Sequence, residues 1–387
     1  MVTSEFGRNG WMTGAAELPL HDGHVPPSLL RVMRELSRSI VKVIVEEEGP
    51  DKLVRALSDP VWFQAFNNVI GMDWDSSGST TVVLSVLKEV SWSDELGFLI
   101  LGGKGRKMLR LKDETKEAER RYGLDPSRLF TFSKVSARAA STFLQDGYDT
   151  YVHALVVSEG GETVVIQQGM NLGARMARRY HIDKGSIEEP FSGVAGISGP
   201  VILNATARES REARKAYLDI IAEGKERFLR LLSEANAALG APSLLRYIEG
   251  EVKVRPPRAY YRPVIPSRQF LRMVENMFSS QPGSEGELAV TPGLGPKVVR
   301  ALALVADLVY SVPTSVRDPV TVSLDPFAYA YAVGGKDGVP YPYDRETALR
   351  VIEYLRQAIE EARVGNTAKL AAMARLRAMT ARLGGLP

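Results

Sequence analysis

The 387-residue chain contains no cysteine. That excludes disulfides, zinc–thiolate sites, iron–sulfur clusters and thiol nucleophiles in one step. Histidine is almost as scarce, at four residues, so a site made of clustered imidazoles has little to draw on. No run approaches the roughly 18 apolar residues that a membrane span needs, and the N-terminus has no apolar signal core. The protein is therefore expected in the cytoplasm with no membrane partner. An excess of one charge is lacking too: 49 Lys and Arg face 46 Asp and Glu, a formal net charge of +3. Whole-chain charge makes no case for nucleic acid, and any such case has to rest on local distribution. Abundant Glu and Arg without cysteine would suit a thermophile.

What is present is an ordinary globular composition with a few dense motifs. The chief one is Val290-Thr291-Pro292-Gly293-Leu294-Gly295-Pro296-Lys297, running into an apolar helical pattern over residues 298–309. It reads as a helix-hairpin-helix, two helices joined by a tight turn whose glycines supply positive φ and a bare backbone. Gly293 and Gly295 would let a phosphate approach the turn amides, helped by the positive end of the second helix. Lys297 lies in that helix's first turn, within reach of a phosphate or a reacting sugar.

Other segments read as anion contacts or as metal ligands. Leu96–Leu101 reads as a buried strand entering a basic glycine loop with Lys104 and Arg106; it lacks the spacing of a mononucleotide loop, so no nucleotide cofactor is expected. Arg175, Arg178, Arg179, Tyr180 and His181 form the densest basic stretch with an aromatic. They are expected to clamp phosphate and stack on bases, with a solvated basic turn as the equal alternative. Lys336 sits in a glycine-rich loop and is expected to contact nucleic acid. In Asp73-Trp74-Asp75-Ser76-Ser77-Gly78, the two carboxylates, with Lys88 and Glu89 close behind, would suit a Mg²⁺-dependent phosphodiesterase. An Asp/Ser-rich turn capping a helix is the plainer reading of the same residues. No cofactor is expected beyond Mg²⁺ in that nuclease case, and no resident metal otherwise.

The expected fold class is α+β: a mixed α/β N-terminal body over residues 13–252, then an all-α domain over residues 267–387 that holds the hairpin. Residues 1–12 lack apolar periodicity and are expected to be a disordered leader. Residues 253–266, with four prolines, cannot be a helix interior and are expected to be a linker. A β-hairpin is expected around the turn Glu159-Gly160-Gly161-Glu162, and residues 209–239 carry the pattern of one long amphipathic helix.

The chain resembles the archaeal and bacterial family known as domain of unknown function 763. The resemblance rests on Thr13-Gly14-Ala15-Ala16-Glu17-Leu18-Pro19-Leu20-His21-Asp22-Gly23, Leu57-Ser58-Asp59-Pro60-Val61-Trp62-Phe63-Gln64-Ala65-Phe66 and Asp73-Trp74-Asp75-Ser76-Ser77-Gly78-Ser79-Thr80-Thr81. It continues through Gln145-Asp146-Gly147-Tyr148, Gln167-Gln168-Gly169-Met170-Asn171, Ala177-Arg178-Arg179-Tyr180-His181 and Gly334-Gly335-Lys336-Asp337-Gly338. The family pattern usually has histidine where Asp75 and Val152 stand, so this copy is a divergent member. The family name confers no reaction.

The C-terminal part is also similar to helix-hairpin-helix DNA glycosylases. That resemblance implies a Schiff-base lysine at Lys297 and an essential aspartate at Asp318. Lys297 would attack C1′ of a flipped nucleotide, and Asp318 would stabilise the charge developing on the sugar. Three functions are thus expected to compete: a DNA-repair glycosylase or lyase, a Mg²⁺-dependent nuclease, and a non-catalytic scaffold. The expected partner is nucleic acid in each, DNA ahead of RNA.

Overall fold

The computed structural model describes residues 27–70, 77–174, 176–196, 198–199, 201–240 and 262–321, with 360, 366, 369–370 and 372–374 near the C-terminus. The β-branched runs in the middle of the chain pair into one antiparallel sheet. Its strands are β1 (Phe98–Lys104), β3 (Asp149–Ser158), β4 (Thr163–Asn171), β5 (Met176–Ile182) and β6 (Phe191–Ala195), in the order β1-β3-β4-β5-β6. The short strands β2 (Leu144–Gln145) and β7 (Leu203–Asn204) pair separately. The molecule is α+β, and the expected hairpin around Gly160 and Gly161 joins β3 to β4.

Successive side chains on a strand point to opposite faces, and here both faces are covered. Phe98, Ile100, Val152, Ala154, Val156, Val164 and Ile166 pack with α1 (Pro27–Glu48), α2 (Pro50–Ser58), α3 (Pro60–Ile70) and α4 (Ser77–Ser93). Leu99, Leu101, Leu155, Val157 and Val165, one residue out of phase, pack with α5 (Leu111–Tyr122) and α6 (Pro126–Arg138). That is why 154–157 and 164–166 are apolar without alternation: neither face meets water. The β-branched segment after Gly78 is helical, as α4.

A second core forms beside the sheet. It joins α7 (Arg211–Ala222), α8 (Lys225–Gly240), α9 (Arg268–Ser280), α10 (Glu285–Val290) and α11 (Pro296–Leu308) to Val135, Ala139 and Phe143 at the end of α6. Helices on either side of the proline-rich stretch therefore share one interior. The single helix expected over 209–239 is two helices, because Gly224 at φ 97° turns the chain between α7 and α8. An L side chain rarely adopts that φ, whereas glycine does so freely. Buried Arg214 ties this part together: it donates to Glu188, to Glu285 (2.7 Å) at the start of α10, and to the carbonyls of Ala205 and Ala207 (both 2.9 Å). Among the described residues no helix is long and apolar enough to cross a membrane. The leader 1–12, residues 253–261 of the expected linker and the glycine-rich loop with Lys336 lie outside the described residues.

Candidate functional site

A cleft of about 450 Å³ opens where α6, β3 and the hairpin meet. Met108 reaches it from the 3-10 turn Gly105–Arg110, and Pro296 from the first position of α11. Two segments expected to contact nucleic acid, the basic loop after β1 and the hairpin, thus border one cavity although they are far apart in sequence. Phe130 lines it beside the polar groups of Ser133, Thr150 and His153.

Those polar groups form a hydrogen-bonded row. Ser133 Oγ lies 2.8 Å from His153 Nε2, His153 Nδ1 lies 3.0 Å from Gln167 Oε1, and Gln167 Nε2 donates to Thr150 Oγ1 at 2.7 Å. In regular alternation Thr150 and His153 would face opposite sides of the sheet. The β3–β4 register shifts between Thr150 and Val152, and this bulge re-aims Thr150 toward the side His153 faces. Burial lowers the His153 pKa against the pull of Gln167, so the imidazole is neutral. With Gln167 Oε1 accepting from Nδ1–H, Nε2 is left to accept from the Ser133 hydroxyl. Sequence reasoning assigned none of these four residues a role, although Gln167 opens the Gln167-Gln168-Gly169 motif and His153 is one of only four histidines.

In the hairpin segment, Thr291–Gly295 joins α10 to α11 in a tight turn. Gly293 has φ 82°, and a Cβ there would lie 2.3 Å from the Met273 carbonyl oxygen on α9. Three side chains from the body hold its carbonyls: Lys134 donates to Val290 O (2.7 Å), Arg138 to Leu294 O, and Gln145 to Pro296 O (2.8 Å). Burial, and then the neighbouring Arg138, lower the Lys134 pKa. Lys297 Nζ donates to Ile265 O at 2.8 Å and sits 5.6 Å from the centre of the Phe270 ring.

Several expected site residues are engaged elsewhere. Asp318 accepts from Arg178 at 2.9 Å and from the Gly199 amide at 2.7 Å, so it partners β5 rather than Lys297. Arg178 and Arg179, expected at a phosphate-facing surface, are each 1% exposed, which corrects their expected placement. Arg178 also pairs with Asp146 at 2.8 Å and lies 4.7 Å from the centre of the Tyr148 ring. Burial opposes its charge, but the carboxylates of Asp146 and Asp318 outweigh it and raise its pKa. Burial pushes the Asp146 carboxyl upward, yet Arg178 and Tyr180 (2.6 Å) both donate to the same oxygen.

Arg179 packs over Phe63 at 4.5 Å and donates to His181 Nε2 at 3.0 Å. His181, with Nδ1 2.9 Å from Leu57 O, is held well below its ordinary pKa by burial and by the Arg179 charge. Lys88 is paired with Glu114 at 2.7 Å, and Glu89 with Arg34 at 2.5 Å, so neighbouring positions on α4 point to different partners. Lys104 and Arg106 are exposed. Asp73, Asp75, Arg175 and Lys336 lie outside the described residues. Among those described, no three His, Asp or Glu side chains gather as a metal-holding group.

The two buried histidines predict a pH dependence. Both have folded pKa values below the ordinary 6.5, so between the folded and unfolded values the unfolded chain binds more protons. Their contribution is complete above pH 6.5 and is lost as pH falls below it. Urea midpoints are expected to be flat from pH 7 to 8. Below pH 6.5 stability should fall by up to about 1.4 kcal/mol per pH unit for each histidine. A midpoint that rises on acidification to pH 5.5 would contradict the buried neutral state.

The chain matches the family described as Protein of unknown function (DUF763) over residues 14–343. It belongs to that family. No curated protein and no solved structure matches it.

Proposed function

We propose that this DUF763 protein binds a nucleic-acid backbone along the cleft bordered by the 105–110 turn and the hairpin, DNA ahead of RNA, in the setting of DNA repair. One observation carries the reading: Met108 and Pro296 line the same cavity. The turn that supplies Met108 exposes Arg106, Lys107 and Arg110, and Pro296 opens a 13-residue helix at its positive end. Proline at the first helical position has no N–H, and the Val298 and Val299 amides bond back to Gly295 O. The Gly295 and Lys297 amides are therefore the ones a phosphate would meet. Phosphate contacts of this kind set position and affinity rather than sequence choice.

The bonds of Asp318 to Arg178 and Gly199 favour a hairpin that anchors the strand over one that forms a Schiff base with Lys297. Lys297→Ala and Gly295→Val are each expected to weaken duplex binding by about tenfold at low salt. Lys297→Ala should also reduce the slope of log affinity against log salt by about one. Fluorescence anisotropy across a salt series measures both, and competition with duplex DNA against structured RNA ranks the partners. Unchanged affinity in both variants would remove the hairpin from this function.

A further inference from the structure

We infer that Ser133 and His153 form a nucleophile–base pair that cleaves a phosphodiester of the bound strand, with Gln167 as the positioning residue. The inference rests on the nucleic-acid reading above, which brings a backbone phosphate to the cleft.

One feature singles out Ser133, and two more mark the row and the cleft around it. Mid-helix serines commonly bond back to the carbonyl four residues earlier. Ser39 does so to Glu35, Ser141 to Ala137 and Ser280 to Asn276. Ser133 instead meets His153, on the wall of the cleft. Next, α6 ends in a turn of π-helix, Ala139–Phe143, whose Ser141 and Thr142 line the same cleft. Such turns are rare and are frequently found at functional sites. Last, the β3 bulge is what lets Thr150 share Gln167 with His153, so a departure from regular pairing secures the far end of the row. A hydroxyl on a base that is itself oriented by a third group is the arrangement nucleophilic catalysis needs.

The chemistry balances within the row. Ser133 Oγ attacks phosphorus and its proton passes to His153 Nε2. The Oγ–P bond forms as the bond from phosphorus to the bridging oxygen of the leaving nucleoside breaks. His153 returns the proton to that oxygen. Water then attacks the phosphoserine diester and gives a proton to His153. The Oγ–P bond breaks, and the serine hydroxyl recovers its proton. Lys134, next to Ser133 and lining the same cleft, supplies positive charge beside the phosphate.

The test uses the full chain and has two arms. Ser133→Cys places a single thiol in a protein that has none. Its alkylation by iodoacetamide at pH 6.5 is expected to be about tenfold faster, or more, than in Ser133→Cys/His153→Gln, because the imidazole takes the thiol proton. An unreactive thiol, or equal rates in the two, overturns the pair. This arm needs no substrate, and the near-isosteric cysteine retains the fold where alanine could lose it. In the second arm labelled single strands and duplexes are incubated in chelator and resolved on denaturing gels. The wild type is expected to give a cut product or a detergent-resistant protein–strand adduct. Both should fall by about a hundredfold in Ser133→Ala and His153→Gln, with binding retained. Binding by the wild type with neither cut nor adduct, or a cut product unchanged in Ser133→Ala, overturns the centre and leaves the binding reading standing. No binding by the wild type overturns both.

Discussion

Arg178→Leu is expected to cost about 3–5 kcal/mol of folding stability, the range for removing one partner of a buried charge network. The guanidinium joins Asp146, just before β3, to Asp318, beyond α11, across sequence separations of 32 and 140 residues. Leucine would leave two carboxylates facing each other with no counter-charge, one of them with a side chain only 2% exposed. The Tyr180 hydroxyl would still donate to Asp146 but carries no charge to offset it. Arg178→Lys should recover only part of the loss, because one ammonium cannot present the planar fork that serves two carboxylates. Urea unfolding followed by tryptophan fluorescence measures both variants. A loss below about 1 kcal/mol for Arg178→Leu would show that the ion pairs are of the weak, solvated kind.

Gly293→Val is expected to be nearly as damaging, at about 3 kcal/mol, combining left-handed strain with a collision. The residue sits at φ 82°, and a Cβ would come within 2.3 Å of the Met273 carbonyl oxygen and 3.0 Å of Asn276 Cβ. A backbone carbonyl inside a helix has nowhere to go, so the turn has to lift from α9. Gly295, two residues on, is extended, and its nearest neighbour would be Met273 Sδ at 3.9 Å. Gly295→Val should therefore keep nearly full stability while losing duplex affinity, whereas Gly293→Val loses both. Equal stability losses in the two variants would contradict the docking of the hairpin on α9.

Periodicity and turn chemistry carried much of the fold in the sequence. The β3–β4 hairpin, the strand before the basic glycine loop and the glycine turn ahead of α11 are all local signals, and local signals read well. The break at Gly224 was harder, because the apolar period continues through α7 and α8 and one glycine inside a helical pattern is often tolerated. The site was less legible. Arg178 and Arg179 are consecutive on β5, so their side chains enter opposite faces and find different partners. Sequence shows their charge but not the partners inside, Asp146 and Asp318 for Arg178 and the Gln64 side-chain oxygen, 3.3 Å away, for Arg179. Ser133, His153 and Gln167 are 20 and 14 residues apart and sit on a helix and two strands. No spacing rule connects them; the register of β3 with β4 and a one-residue bulge do. What sequence could show was a basic glycine loop and a glycine-rich hairpin, and only folding brings Met108, just past the one, and Pro296, of the other, to one cleft.

The most direct measurement is photo-crosslinking of a duplex carrying 4-thiothymidine at successive positions, followed by peptide mapping of the full-length protein. Crosslinks are expected in both the 105–110 turn and the 291–297 hairpin, and both should disappear together in Gly295→Val. Saturable binding with crosslinks confined to other surfaces would contradict backbone binding along this cleft.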